Sequence, residues 1–154
     1  MSNPAAHRLM SVDVIVVNPQ TPLSEAWEIM MSHSLKHMPV VEDGNRLVGM
    51  VVDRDLLRLW LSQSMSGNGG APHKVRDIMQ KDPFRLPPTA TAGEIARQCR
   101  KHRIDAMPIT DGDGQLLGLV TSSDLLDLVV AMEPGPLPMT FRLHHSGSRA
   151  TDGS

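Results

Sequence analysis

Apolar positions along the chain follow two periods in turn, and the series occurs twice. Ile15 to Val17 is a short apolar run of strand type, and Leu23, Ala26, Trp27 and Met30 then fall at i, i+3, i+4 and i+7, which predicts a helix with one buried face. Thr21 and Pro22 supply a cap and a first helical residue for it. HMPVVE and Leu47 to Val52, separated by the turn Asp43, Gly44 and Asn45, predict a hairpin. Pro39 has no N–H to give to a ladder, so it belongs at a strand start or on an edge. A closing helix is predicted from Arg54 to about Leu61. Its Leu56, Leu57, Leu59, Trp60 and Leu61 are apolar nearly all round, which requires burial on more than one side.

The series returns at a constant offset of 69 residues, the separation of Asp55 from Asp124. The offset also pairs Met10 with Met79, Asp13 with Asp82, Pro19 with Pro88, Glu25 with Glu94, His33 with His102, Pro39 with Pro108 and Gly49 with Gly118. So many matches in one register define two copies of a unit. The second copy has the helical stripe Ala92, Ile95, Ala96 and Cys99, the hairpin AMPIT, DGDG, LLGLVT from Ala106 to Thr121, and a closing helix from Ser123 to about Ala131. Large and small residues trade places between the stripes, which predicts that the copies pack face to face on a shared core of fixed volume. The pattern divides the chain into a first copy over 8–61, a flexible linker over 62–74, a second copy over 75–132 and a mobile tail over 133–154.

With 154 residues the chain has room for one domain burying roughly 70% of its unfolded surface, and none for a second large catalytic domain. Eleven Met and aliphatic side chains must fill the core, since there are two Phe, two Trp and no Tyr. So few aromatics argue against stacking of successive bases, and a formal charge of −2 offers no basic field for nucleic acid or a membrane surface. No apolar run approaches the roughly 20 residues of a membrane span, MSNPAAHRLM lacks a signal-peptide core, and the lone Cys99 has no internal disulfide partner. A cytoplasmic location is the expectation.

GLVTSSDL, Gly118 to Leu125, is the stretch with the most chemistry. Thr121 and Asp124 have the spacing of a helix cap, worth about 0.3 to 1 kcal/mol through the helix dipole alone. The same spacing sets a hydroxyl and a carboxylate beside backbone N–H groups, which suits a ribose and its phosphate. Other candidates are weaker. Cys99 lies on the buried stripe with no orienting partner for a nucleophile. DGDG from Asp111 lacks the later ligands of a calcium loop, SGNGG lacks the ending of a phosphate loop, and the seven His, His144 and His145 included, lack zinc spacing. Lys36, His37 and the run Arg100 to Arg103 could meet phosphates, although cations are also favoured at a helix carboxyl end. No catalytic constellation and no metal site emerges, and the chain reads as a non-enzyme.

An apolar-Met-Pro-apolar-apolar strand and a closing Gly-apolar-apolar-Thr-x-x-Asp, each in two registered copies from about Leu9 to Met132, resemble the CBS (cystathionine beta-synthase) domain, and the tandem resembles a Bateman module. The resemblance implies an α+β fold of two β-α-β-β-α repeats about a pseudo-twofold axis. It implies clefts between the repeats that hold AMP, ADP or ATP, with S-adenosylmethionine ranked behind them, and a disk-like homodimer. By position, Thr121 and Asp124 would contact phosphate and ribose, and Ile104, Asp105, Ala106 and Pro108 would border the base with Asp82 and Pro83. In the first copy Val52 stands where Thr is expected. There Asp55 remains, with Arg54, Lys36 and His37 nearby in sequence, so the cleft using Thr121 and Asp124 is the preferred site. The expectation is a regulatory module that reports nucleotide occupancy to a protein not identified by the sequence, with no resident cofactor. Its rival is a ligand-free dimerisation module.

Overall fold

The computed structural model describes residues 3–66 and 73–132. The elements of the first half are α1 (Ala6–Leu9), α2 (Leu23–Ser32), β1 (His37–Glu42), β2 (Arg46–Val52) and α3 (Asp53–Ser66). Those of the second are α4 (Val75–Ile78), β3 (Gln80–Lys81), α5 (Ala92–His102), β4 (Ala106–Thr110), β5 (Leu116–Thr121) and α6 (Ser122–Ala131). Both hairpins are antiparallel, and each carries an irregularity at the same place, between Val40 and Val41 and between Ile109 and Thr110.

The apolar run Ile15 to Val17 is a one-residue parallel bridge rather than a strand. Val17 donates to the Pro39 carbonyl at 3.1 Å and accepts from Val41 at 2.8 Å, and the turn that bonds Thr21 N–H to Asn18 O at 3.1 Å then takes the chain off the sheet. Leu86 repeats this on Ile109. The cap of α2 also differs from the expectation. Thr21 is buried and its hydroxyl accepts from Asn18 N–H at 3.3 Å, which leaves Pro22 in the capping position without a side-chain bond. In the second copy Thr91 does cap α5, accepting from Glu94 N–H at 3.3 Å while the Glu94 carboxylate accepts from Thr91 N–H at 2.9 Å.

Helix α3 runs on to Ser66, into the stretch whose composition suggests a linker. The hydroxyls of Ser62 and Ser64 return to the carbonyls of Leu59 (2.7 Å) and Trp60 (3.0 Å), so these serines are satisfied within the helix rather than ending it. His73 and Lys74 are built into the first copy: His73 O accepts from Leu23 N–H at 3.0 Å, and Lys74 precedes α4 with its N–H on Asp77. Residues 67–72 and the tail with His144 and His145 lie outside the described residues.

The copies exchange their leading segments. Ala6 of α1 is buried in the core of the second copy with Ile95, Met107, Ile109 and Val120, and its N–H bonds Ala90 O at 2.7 Å. Val75 of α4 is buried in the core of the first with Ala26, Met30, Met38 and Val51, and its N–H bonds Thr21 O at 2.9 Å. Gly118 and Gly49 permit this exchange. A Cβ on Gly118 would lie 2.7 Å from both Met10 Sδ and Ser11 O, and one on Gly49 would lie 2.5 Å from Met79 Sδ.

The two helical stripes do not form a shared core. Leu23, Ala26 and Met30 bury in one cluster, and Ile95 and Cys99 in another. The copies meet through their strands instead, in a separate cluster of Met50, Val52, Ala106 and Leu119. Backbone bonds from Leu47 to Gly114 (3.0 Å) and from Leu116 to Asn45 (2.8 Å) tie the hairpins together. The alternation of large and small residues between the stripes therefore reflects two cores filled differently, each with its own exchanged helix.

Candidate functional site

Two clefts flank the strand interface, related by the 69-residue offset. The larger encloses about 590 Å³ and is lined by Asp13, Val14 and Ile15, by Ser34 to His37 at the end of α2, and by Asp105 and Thr121 to Ser123. Ser34 has φ 53°, a left-handed residue that turns the chain off α2 and aims residues 35–37 at the cleft. Its counterpart Arg103 has φ 54° and does the same for the second cleft. That cleft, of about 80 Å³, is lined by Pro83, Phe84, Arg103 to Ala106 and Pro108, and by His37, Met50, Val52, Arg54 and Gln80.

Each cleft thus draws one wall from each copy. The sequence reading groups Thr121 and Asp124 with Ile104, Ala106, Pro108 and Pro83, but the structure parts them. Thr121 faces residues of the first copy, whereas Ile104, Ala106, Pro108 and Pro83 line the second cleft with Arg54. Among the described residues only His37 and Asp105 line both. The pseudo-twofold axis crosses the copies, so a wall of one copy completes the motif of the other. Ser34 and Asp13 escape a motif search for this reason.

Asp124 stands behind Thr121. Its Oδ2 accepts from Thr121 N–H at 2.7 Å and from the Thr121 hydroxyl at 3.1 Å, while Asp124 N–H lies 3.4 Å from Thr121 Oγ1. This is a reciprocal cap, and it fixes the Thr121 side chain at the edge of the cleft. Both bonds fall on Oδ2, which leaves Oδ1 for a further donor. The preceding turn is held by Ser122 N–H on Asp105 O at 2.9 Å.

Asp55 does not line the second cleft; it lies 3.8 Å from Arg58 and 3.4 Å from the Gln80 amide. Val52 has no hydroxyl to form the reciprocal cap. Asp82 faces solvent, with its side chain 94% exposed and paired to Arg85 at 2.8 Å. Burial lowers the pKa of His37 below 6.5, and nearby Asp105 and Asp53 oppose that shift while Lys36 and Arg54 add to it. Burial raises the pKa of Cys99, and Asp105 adds to the rise, which disfavours a reactive thiolate. Among the described residues no group of three or more His, Cys, Asp or Glu could hold a metal ion, and no helix is long and apolar enough to cross a membrane.

Doubled units of a helix, a hairpin and a closing helix, with exchanged leading helices and clefts at their strand interface, define a tandem repeat. The family model for the CBS domain matches residues 6–62 and again 75–131, and the chain belongs to the CBS domain family as a tandem pair with an α+β fold. A CBS domain-containing protein of Dictyostelium discoideum is 32% identical over 136 residues, covering 84% of this chain and 94% of that protein. The inosine-5′-monophosphate dehydrogenase of Korarchaeum cryptofilum is 34% identical over 113 residues, 73% of this chain but only 22% of the enzyme, so the match takes in a small part of that protein. Among solved structures, CBSX2 in complex with AMP superposes with a TM-score of 0.74 at 25% identity, covering 84% of this chain and 98% of CBSX2. The CBS domain pair of protein MJ0100, solved with 5′-methylthioadenosine and S-adenosyl-L-methionine, gives a TM-score of 0.75 at 21% identity, covering 86% of this chain and all (100%) of that one.

Proposed function

We propose that this chain is a regulatory module that takes one adenosyl ligand in its larger cleft and transmits occupancy to another protein. The observation that carries the reading is the cleft itself. Its volume of about 590 Å³ lies in the range of small-molecule sites, roughly 300 to 1,000 Å³, and the N-terminal turn of α6 with the Thr121 hydroxyl forms one wall. The AMP held by CBSX2 gives the ligand class. Charge narrows the choice. Among the lining residues one cation, Lys36, stands with two carboxylates, Asp13 and Asp105, and burial favours the neutral form of His37. Such a lining favours an adenosyl group with no more than one phosphate, because each added phosphate brings charge toward Asp13 and Asp105.

The mechanism is differential affinity. A ligand touching both copies shifts their relative orientation only by as much as it prefers one arrangement, which limits coupling to about 1 to 3 kcal/mol. Two such chains pair through the closing helices. Trp60 is 65% exposed, Leu61 53%, Leu126 65% and Val130 73%, apolar faces that the chain does not cover with its own described residues. Sedimentation of the Trp60→Lys/Leu126→Lys variant as a monomer, against a dimer for the parent, is the expected result for this pairing.

The functional test is calorimetric titration of AMP, ADP, ATP and S-adenosylmethionine into the protein and its Asp124→Ala variant, with melting temperatures recorded. AMP should bind at one per chain and more tightly than ADP or ATP, and Asp124→Ala should weaken it about 10- to 150-fold, equivalent to about 1.5 to 3 kcal/mol. A second reading, a ligand-free dimerisation module, draws on the complete reciprocal cap of Thr121 and Asp124. It is favoured if no compound binds and Asp124→Ala only lowers the melting temperature.

A further inference from the structure

The second cleft has equivalents of most of the lining of the first, Asp82, Lys36 and Asp53 excepted, yet its volume is about 80 Å³. Side chains account for the difference. Across the offset, Ser11 becomes Gln80, Ile15 becomes Phe84, Ser34 becomes Arg103, Thr121 becomes Val52 and Ser123 becomes Arg54. These walls are held in place. The Phe84 ring stacks on His102 at 4.3 Å and 26°, and Gln80 is paired with Met50 in the sheet with its amide 3.4 Å from Asp55. A nucleoside does not fit a space several times smaller than a typical small-molecule site, whereas a water occupies only about 30 Å³ and a few waters or one small ion fill it.

The charge balance is reversed as well. Arg54 and Arg103 line this cavity with a single carboxylate, Asp105, and among the described residues neither arginine makes an ion pair. Arg8, Arg97 and Arg100 are likewise without an ion pair among the described residues, but they do not line this cavity. Two arginines, His37 and Gln80 among the residues lining one small cavity form a set rich in donors and poor in acceptors. A tetrahedral oxyanion supplies acceptors to both arginines at once, in the geometry guanidinium favours.

We propose that the second cleft is a separate site for a small tetrahedral oxyanion of the size of inorganic phosphate, held between Arg54 and Arg103. The site does not depend on the nucleotide reading of the first cleft, since it shares with it only His37 and Asp105. Its occupant would neutralise the two cations of the lining and stiffen the wall that both clefts use.

The test is titration of inorganic phosphate into the protein, followed by ³¹P line broadening and calorimetry, with sulfate as competitor. The expected result is one phosphate per chain, displaced by sulfate, with affinity weakened at least about tenfold in Arg54→Gln and in Arg103→Gln. Both arginines are exposed, so the variants should keep the parent melting temperature in phosphate-free buffer. Binding should survive in Thr121→Val, whose change lies in the other cleft. The proposal is overturned if phosphate does not bind, if Thr121→Val abolishes the binding, or if AMP binds at two per chain and Arg103→Gln removes the second equivalent.

Discussion

The two clefts occupy equivalent places in the same backbone, yet one encloses about 590 Å³ and the other about 80 Å³. One is walled by serines and a threonine and leans negative; the other is walled by Phe84, Val52 and two arginines and leans positive. Duplication repeats the backbone because hydrophobic period and turn chemistry repeat. It leaves cleft side chains free to diverge, since half-exposed positions carry little of the folding energy. A tandem repeat can in this way hold two sites of different size and charge within one fold.

The sharpest way to break the contrast is to exchange side chains between clefts. Ile15→Phe with Ser34→Arg should fill the larger cleft and weaken AMP by at least about 100-fold, or about 2.7 kcal/mol, measured by calorimetry. An unchanged AMP affinity would show that the ligand does not sit there.

The glycines offer the next largest effect, on stability. Gly118→Ala would press a Cβ on the Ser11 carbonyl at 2.7 Å, backbone that cannot rotate away, whereas Gly49→Ala meets chiefly the flexible end of Met79, with Gln80 O at 3.2 Å. Urea denaturation should show a loss of about 2 to 3 kcal/mol for Gly118→Ala and about 1 kcal/mol for Gly49→Ala. Equal losses would mean that the exchanged segments are held alike.

Smaller again is the cap. Thr121→Val copies the first repeat into the second and should cost about 1 kcal/mol in the same assay, because the hydroxyl that accepts from Asp124 N–H is lost. Val52→Thr, the reverse exchange, should recover little, because Asp55 is already shared between Arg58 and Gln80.

The smallest effect is in pH. The folded pKa of His37 lies below the ordinary histidine value of 6.5, so between the two values the unfolded chain binds more protons than the folded one. Stability from this residue is complete above about 6.5 and is lost progressively as pH falls through the folded pKa. A pH series of melts should show that slope in the parent and a flatter one in His37→Gln.

Much of the fold was legible in the chain. The offset located both hairpins and four of the helices, because alternation and the 3.6-residue period are local consequences of burial. Where polar residues satisfy one another locally, the pattern misled. Ser62 and Ser64 continue α3 by bonding to its carbonyls, and Thr21 spends its hydroxyl on Asn18 rather than on α2. The candidate site was legible as a set of residues but not as a grouping. Thr121 and Ile104 belong to one repeat and to different clefts, and Ser34 carries no motif at all.

The sequence by itself determined the repeat, both hairpins, four of the helices, the resemblance to a CBS pair and the cap spacing of Thr121 and Asp124, since each depends on residues close in the chain or on a constant register. Only the tertiary structure decided which walls meet, that α1 and α4 change places, and that one cleft is open while Phe84 and Arg103 narrow the other. Those outcomes depend on how two packed surfaces come together about an axis that no local pattern encodes, and there the volume of a few side chains sets what space remains for a ligand.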